Sequence, residues 1–217
     1  MDNRLQEFEK GHKAFQRIKF KQSKERFKKL VDEGQNPKAL FIGCSDSRVM
    51  PAMITGSKPG DLFIVRNIGN FVAPYKPDAD YHATASAIEY AVSILEVSDI
   101  IVCGHSHCGA IESLHKNIEA TSENIHTVKW LELGKEAKKV ALLAYGNADK
   151  ETLLRYTEKI SVVYQLDNLL TYPAVKKRVE EGTLYLHGWH YHMEDGDIEY
   201  YDDDNYEFKP LSQNSEG

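Results

Sequence analysis

Two short segments of this chain hold the side chains best suited to bind a metal and do chemistry with it: Cys44-Ser45-Asp46-Ser47-Arg48 and Gly104-His105-Ser106-His107-Cys108-Gly109. Each follows an apolar run that reads as a buried strand, Ala39-Leu40-Phe41-Ile42 before the first and Asp99-Ile100-Ile101-Val102 before the second. One strand end supplies a thiolate, the other an imidazole and a thiolate, and the i, i+3 spacing of His105 and Cys108 lets a single turn present both. Zn²⁺ prefers thiolate sulfur and imidazole nitrogen in a tetrahedral array, and three protein ligands leave a fourth position open, which is the mark of a catalytic rather than a structural site. Zinc in such a site pulls the pKa of bound water down toward neutrality. Two thiolates donate more charge than imidazoles would, so the water is expected to be less acidic than in an all-histidine site, and activity to favour alkaline pH.

Asp46 and Arg48 share the loop with Cys44. An arginine can hold a carboxylate through two hydrogen bonds. Held in this way, Asp46 stays ionised and can accept a hydrogen bond from the attacking hydroxide, aiming its lone pair. Released by Arg48, Asp46 could itself take the fourth zinc position and close the site. The amide of Gly109, at a helix start, is placed to bind an anionic oxygen of the product.

These residues need elements to position them. Residues 5–32 are rich in Lys, Glu and Gln with apolar side chains at helical spacing, which predicts one or two amphipathic helices lying on something else; Gly34 and Pro37 end them. A strand follows into Cys44, a turn at Gly56-Ser57-Lys58-Pro59-Gly60, a second strand at residues 62–66, a buried helix at 81–95, and a third strand into His105. Residues 126–181 read as helices, broken at Gly146 and at Pro173. Residues 183–193 read as a strand joined by the turn Glu194-Asp195-Gly196-Asp197 to a hairpin partner at 198–201. Strand, helix, strand with apolar strands is the pattern of parallel βαβ units, whose sites gather at the carboxyl ends of the strands. The expected fold class is therefore α/β: a central, mostly parallel β-sheet flanked by helices, with four parallel strands, an antiparallel edge strand, an N-terminal helical arm and a C-terminal β-hairpin. A single domain over residues 1–217 is expected, with the arm at 1–34 and a polar tail at 202–217.

The 217 residues suffice for one sizeable core. A formal charge of −6 with no strongly basic stretch argues against nucleic acid or a membrane surface as the main partner. No run approaches the length of a membrane span, and the first residues lack the apolar core of a signal peptide. The odd count of three cysteines suits free or metal-bound thiols in a reducing compartment, so a cytoplasmic location is expected.

Taken together, the two motifs resemble the signature of the β-class carbonic anhydrases, and the likeness runs from about Gln35 to Tyr201, including Gly188-Trp189-His190-Tyr191. The resemblance implies one Zn²⁺ per subunit on Cys44, His105 and Cys108, an Asp46–Arg48 pair that opens or closes the fourth position, and reversible hydration of CO₂ to bicarbonate and a proton. It extends to the plant-type subgroup, in which a Gln, a Phe and a Tyr line the substrate pocket; the matching positions are Gln35, Phe63 and Tyr90. Part of that wall comes from a second subunit in the family, which implies a homodimer or a higher oligomer such as a tetramer. The other subgroup has a bicarbonate-inhibited site built from Trp, Arg and Tyr. The matching positions here are Phe41, Arg66 and Tyr191, and Phe41 lacks the indole donor, so that regulation is not implied. Ala110 stands where many members have a second glycine.

Simpler readings stand beside these. Cys103 reads as a buried thiol. His107 should point away from the metal, and with His115 it is a candidate to pass protons to solvent. His187, His190 and His192 resemble a metal-binding tract, and on a strand His190 and His192 share a face; the preferred reading gives them no second metal. Two functional alternatives remain: hydrolysis of CS₂ or COS at the same zinc, and a non-catalytic protein that binds zinc or bicarbonate.

Overall fold

The computed structural model describes residues 5–214 apart from Ala79. Residues 1–4 of the expected arm and 215–217 of the expected tail lie outside the described residues. Two compact units divide the chain, Met1–Asn36 and Pro37–Gly217.

The first unit is helical: α1 (Gln6–Phe15), a π-helical turn (Gln16–Phe20) and α2 (Lys21–Glu33). Its run of Lys, Glu and Gln has strong intrinsic helix propensity. The π-turn spans the five-residue step from Phe15 to Phe20, and these rings sit 6.0 Å apart, with Phe20 and Phe27 at 5.2 Å. No residue of these helices is buried; Phe8 is 77% exposed and Val31 81%.

The second unit is built on a six-stranded sheet of order β2-β1-β3-β4-β5-β6, with β1 (Ala39–Cys44), β2 (Leu62–Asn67), β3 (Asp99–His105), β4 (Tyr185–Tyr191), β5 (Ile198–Asp202) and β6 (Glu207–Pro210). The first four are parallel, while β5 and β6 add on antiparallel. Between them run α3 (Pro51–Ile54), α4 (Ala83–Glu89, continued by a π-helical turn), α5 (Gly109–Leu114), α6 (Ile125–Leu131), α7 (Lys135–Tyr145), α8 (Lys150–Leu169) and α9 (Pro173–Glu180). No helix among the described residues is long and apolar enough to cross a membrane.

β1 is buried over its whole length, and β3 over all but its first residue, as expected of strands covered on both faces. Alternation divides their side chains between two cores. Leu40, Ile42, Ile100 and Val102 pack with Ile88, Val92, Val162 and Leu169 on one face, and Phe41, Ile101 and Cys103 pack with Trp189 and Tyr191 on the other. Each fully buried Leu, Ile, Val or Phe contributes about 1.5–3 kcal/mol. α8 lies flush on β3 because Gly104 has no side chain: a Cβ there would come 2.7 Å from Val162.

The expectation of a single antiparallel edge strand is corrected. Residues 207–210 form β6, which pairs with β5 through Tyr201–Phe208 and Asp202–Glu207, so two antiparallel strands rather than one close the sheet. The short strand escapes an alternation argument because it ends on Pro210 and follows an Asp-rich turn.

The strand order sets the site. β1 pairs with β2 on one side and β3 on the other, so the connections leave β1 and β3 in opposite directions and a crevice opens at their carboxyl ends. Cys44 ends β1, and His105 ends β3.

Candidate metal centre

In the β1–β3 register Ile42 lies opposite Val102 and Gly43 opposite Cys103, which brings Cys44 and His105 to the same end of adjacent strands. The turn after His105 then doubles back through His107, whose φ of 56° is left-handed, and delivers Cys108 as the residue preceding α5. The Cys44 and Cys108 sulfurs and a His105 ring nitrogen lie within 4.8 Å of one another, and all three residues are buried.

The His105 ring is oriented by its own turn. Nδ1 lies 2.8 Å from the Ser106 carbonyl and donates to it, so Nε2 carries the lone pair. Nε2 is buried and has no hydrogen-bond partner. A buried acceptor without a partner is costly, and a metal is what this one is shaped to meet. The two sulfurs point the same way. The Cys108 thiol donates to Cys44, which holds the Cys44 thiol down to about 4 despite burial; the same bond, with burial, holds Cys108 well above its usual value. Two thiols this close ionise together only with a cation between them. Two thiolates and one neutral imidazole are a zinc donor set.

The backbone also serves the cluster. Gly69, in a turn after β2, donates its amide to the Cys44 sulfur at 3.4 Å. Its φ of 76° and its surroundings both require glycine, since a Cβ would lie 2.9 Å from Ala110 and 3.0 Å from the Phe71 ring. Asn67 staples this turn through Phe71, and Trp130 donates to the Ile68 carbonyl at 2.8 Å.

Asp46 is held by Arg48 through two side-chain bonds, Nε to Oδ1 at 2.9 Å and Nη2 to Oδ2 at 2.8 Å, and by the Arg48 amide at 3.0 Å. Arg48 therefore keeps the Asp46 carboxyl well below the usual carboxylate range. The same guanidinium donates to the His107 carbonyl at 3.1 Å, tying the first loop to the second. Gly109 opens α5, and the space where its side chain would stand is clear of other atoms to 4 Å.

The remaining expected pocket residues are placed differently. Phe63 and Tyr90 stack on each other with ring centres 5.8 Å apart. They do not line the chain's own cluster: Phe63 pairs with Leu40, four residues or about 13 Å of strand before Cys44. Tyr90 instead lines an open cavity of about 480 Å³ with Tyr75, Ile94 and Pro173. Gln35 belongs to the first unit, just beyond α2, and is exposed. A larger cleft of about 950 Å³ reaches from Ser45 and Asn67 to Tyr81, His126 and Trp130.

Three supports were not evident in the sequence. Arg66 donates to the Cys44 carbonyl at 2.9 Å and the Asp46 carbonyl at 2.6 Å, fixing the loop between ligand and dyad. Glu158 reaches from α8 to accept from the Cys108 amide at 3.1 Å and from Arg155 at 2.8 Å, and burial pushes its carboxyl up to about 7. Ser106 donates to Glu194 at 2.7 Å and accepts from the Met193 amide at 2.9 Å, anchoring the His105 turn to the β4–β5 hairpin. The available signal was the polar stripe Thr157, Glu158, Ser161 and Gln165 at helical spacing, all of it buried. His107 points outward and pairs with Glu194, while His115 meets Thr157 at 3.0 Å.

Comparison with known proteins gives this geometry a context. The family model described as carbonic anhydrase matches residues 39–198. A carbonic anhydrase of Synechocystis is 41% identical over 91% of this chain and 69% of its own length. One from Pseudomonas aeruginosa is 38% identical over 95% and 91%. Among solved structures, the β-carbonic anhydrase CcaA superposes with a TM-score of 0.88 at 39% identity, covering 96% of this chain and all of that one. One of two β-carbonic anhydrases of Sordaria macrospora, described as tetrameric, gives 0.78 at 29% identity over 97% and 98%.

Proposed function

This chain belongs to the β-class carbonic anhydrases, and on that premise we propose that it hydrates CO₂ reversibly to bicarbonate and a proton with one Zn²⁺ per subunit held by Cys44, His105 and Cys108. The observation that carries the reading is the buried, partnerless Nε2 of His105 beside two convergent sulfurs. These three residues would hold Zn²⁺, which when bound would supply Lewis acidity and lower the pKa of water toward neutrality.

The chain's own residues supply the rest. Asp46, kept ionised and oriented by Arg48, accepts a hydrogen bond from the reacting water and fixes the direction of its lone pair. Were Arg48 to release it, Asp46 would be free to close the fourth position. The Gly109 amide binds the oxygen that gains negative charge as CO₂ bends, and the clear space at its Cα leaves room for substrate. Arg66 and Glu158 hold the two ligand loops at fixed separation, so little reorganisation accompanies the reaction.

Phe63 and Tyr90 form an apolar wall suited to CO₂, and Gln35 hydrogen-bonds a substrate oxygen. The Phe63–Tyr90 pair stands along the strand from its own cluster, which supports a homodimer, or a tetramer of such dimers, in which one subunit's pair faces its partner's metal. The exposed apolar residues of the arm, Phe8 and Val31 foremost, support the same reading, with residues 1–34 covering a neighbouring subunit and the chain otherwise one domain. Three free cysteines support a reducing, cytoplasmic setting.

Stopped-flow CO₂ hydration across pH 7 to 9 tests the proposal. The expected result is a zinc-dependent rate that rises toward alkaline pH. A rate no greater than buffer at full zinc occupancy would reject catalysis and leave a binding protein.

A further inference from the structure

The β4–β5 hairpin carries a second set of convergent donors. His190 and Glu199 are direct cross-strand partners, and His192, two residues on, shares the His190 face. His190 Nδ1 lies 3.4 Å from His192 Nε2 and 4.0 Å from Glu199 Oε2, while His192 Nε2 lies 2.6 Å from Glu199 Oε2. Donors around a tetrahedral Zn²⁺ with bonds near 2.0–2.1 Å stand about 3.3 Å apart, so this triangle needs only small adjustments to admit such an ion.

The support behind His190 is also of the right kind. His190 is completely buried, and its other nitrogen, Nε2, faces Glu158 Oε2 at 3.2 Å. A carboxylate on the far nitrogen fixes the tautomer and turns the remaining lone pair toward the open side, the usual arrangement behind a metal-ligating histidine. His192 and Glu199 are partly exposed, with side-chain exposures of 27% and 19%, which provides an entry from solvent. One competitor is already present: Lys159 Nζ sits 2.5 Å from Glu199 Oε2 and 5.6 Å from the centre of the Phe208 ring. A metal must displace this ammonium from that oxygen or use the second one.

We propose that His190 Nδ1, His192 Nε2 and a Glu199 carboxylate oxygen form a second metal site, separate from the Cys44–His105–Cys108 cluster. Two imidazoles and one carboxylate select a borderline divalent transition ion such as Zn²⁺, Co²⁺ or Ni²⁺ over Mg²⁺ or Ca²⁺. The ion would take the place of the proton between His192 Nε2 and Glu199; that proton moves to His192 Nδ1, which leaves the Nε2 lone pair free to ligate, and the Glu199 carboxylate stays ionised. Because the carboxylate is shared with Lys159, the site is weaker than the thiolate centre and fills second.

Equilibrium dialysis of tag-free protein against micromolar Zn²⁺, followed by metal analysis, tests the site without reference to activity. Wild-type protein should hold two equivalents per subunit. His192→Gln and Glu199→Gln should each lose the second equivalent and keep the first, which also reports that the variant is folded. Lys159→Gln should bind the second equivalent several-fold more tightly. A single equivalent in wild type overturns the proposal without any variant. So does a second equivalent that survives both ligand substitutions, or one whose affinity ignores Lys159→Gln.

Discussion

The carboxyl ends of β1 and β3 and the face of the β4–β5 hairpin each gather three metal-binding side chains, yet they are built in opposite ways. At the strand ends the donors are two sulfurs and an imidazole, all buried, with one nitrogen unpartnered. On the hairpin they are a buried imidazole with a second imidazole and a carboxylate that are partly exposed, each already hydrogen-bonded and with Lys159 on the carboxylate oxygen. The first arrangement is poorly satisfied until a cation arrives; the second is satisfied without one. Burial of unmet polar atoms therefore separates a site committed to its metal from one in which metal competes with a resident ammonium.

The largest test of this contrast is removal of a strand-end ligand. Cys44→Ser is expected to lower CO₂ hydration by at least about 10³-fold together with zinc content, since no neighbouring donor replaces the sulfur. Retained activity would move catalysis away from this end of the sheet. Asp46→Asn comes next: zinc content should be unchanged while hydration falls about 10²- to 10³-fold, within the range for a lost proton acceptor and its hydrogen bond. The sign of its pH dependence follows from Arg48. A carboxyl held below its ordinary value is ionised throughout pH 6 to 9, so the deficit should be the same at every pH in that range, and wild type should show no acid limb from Asp46. A deficit confined to one side of neutrality would refute this role.

Arg66→Gln sharpens the comparison by weakening the frame and leaving the donors in place. Zinc affinity is expected to fall about 10-fold, the lower end of effects seen when groups behind a metal ligand are removed. The smallest effect concerns Cys103, whose thiol burial pushes up to about 12. Alkylation with iodoacetamide at pH 8, read by mass spectrometry, should spare all cysteines in zinc-loaded protein. After chelation it should label Cys44 first, because its thiol is held down to about 4 and the thiolate is the nucleophile, and it should leave Cys103 unmodified. Labelling of Cys103 before Cys44 would contradict the assignment.

Much of the fold was legible because its signals are local. The buried runs into Cys44 and His105 have no polar alternation, the helix breaks fall at Gly146 and Pro173, and the turn before β5 has a short-range signature. The bounds of the helix at Ala83–Glu89 and its π-turn, and the strand at Glu207–Pro210, were not, since both depend on what packs against them. At the site, the donors and the Asp46–Arg48 pair could be named from residue type and spacing. Glu158 could not, because a polar stripe on a helix does not say which amide it faces. The stacking of Phe63 on Tyr90 was likewise hidden, because it depends on how the helix from Ala83 crosses back over β2.

The sequence by itself determined the donor types, their place at strand ends and the single turn that pairs His105 with Cys108. Only the tertiary structure decided that Cys44 meets them. That meeting depends on β1 pairing directly with β3 in one register, and a shift of a single residue would turn Cys44 to the opposite face of the sheet. Burial of Leu40 and Ile42 against one core and Phe41 against the other fixes that register, a long-range consequence of packing that neither motif contains.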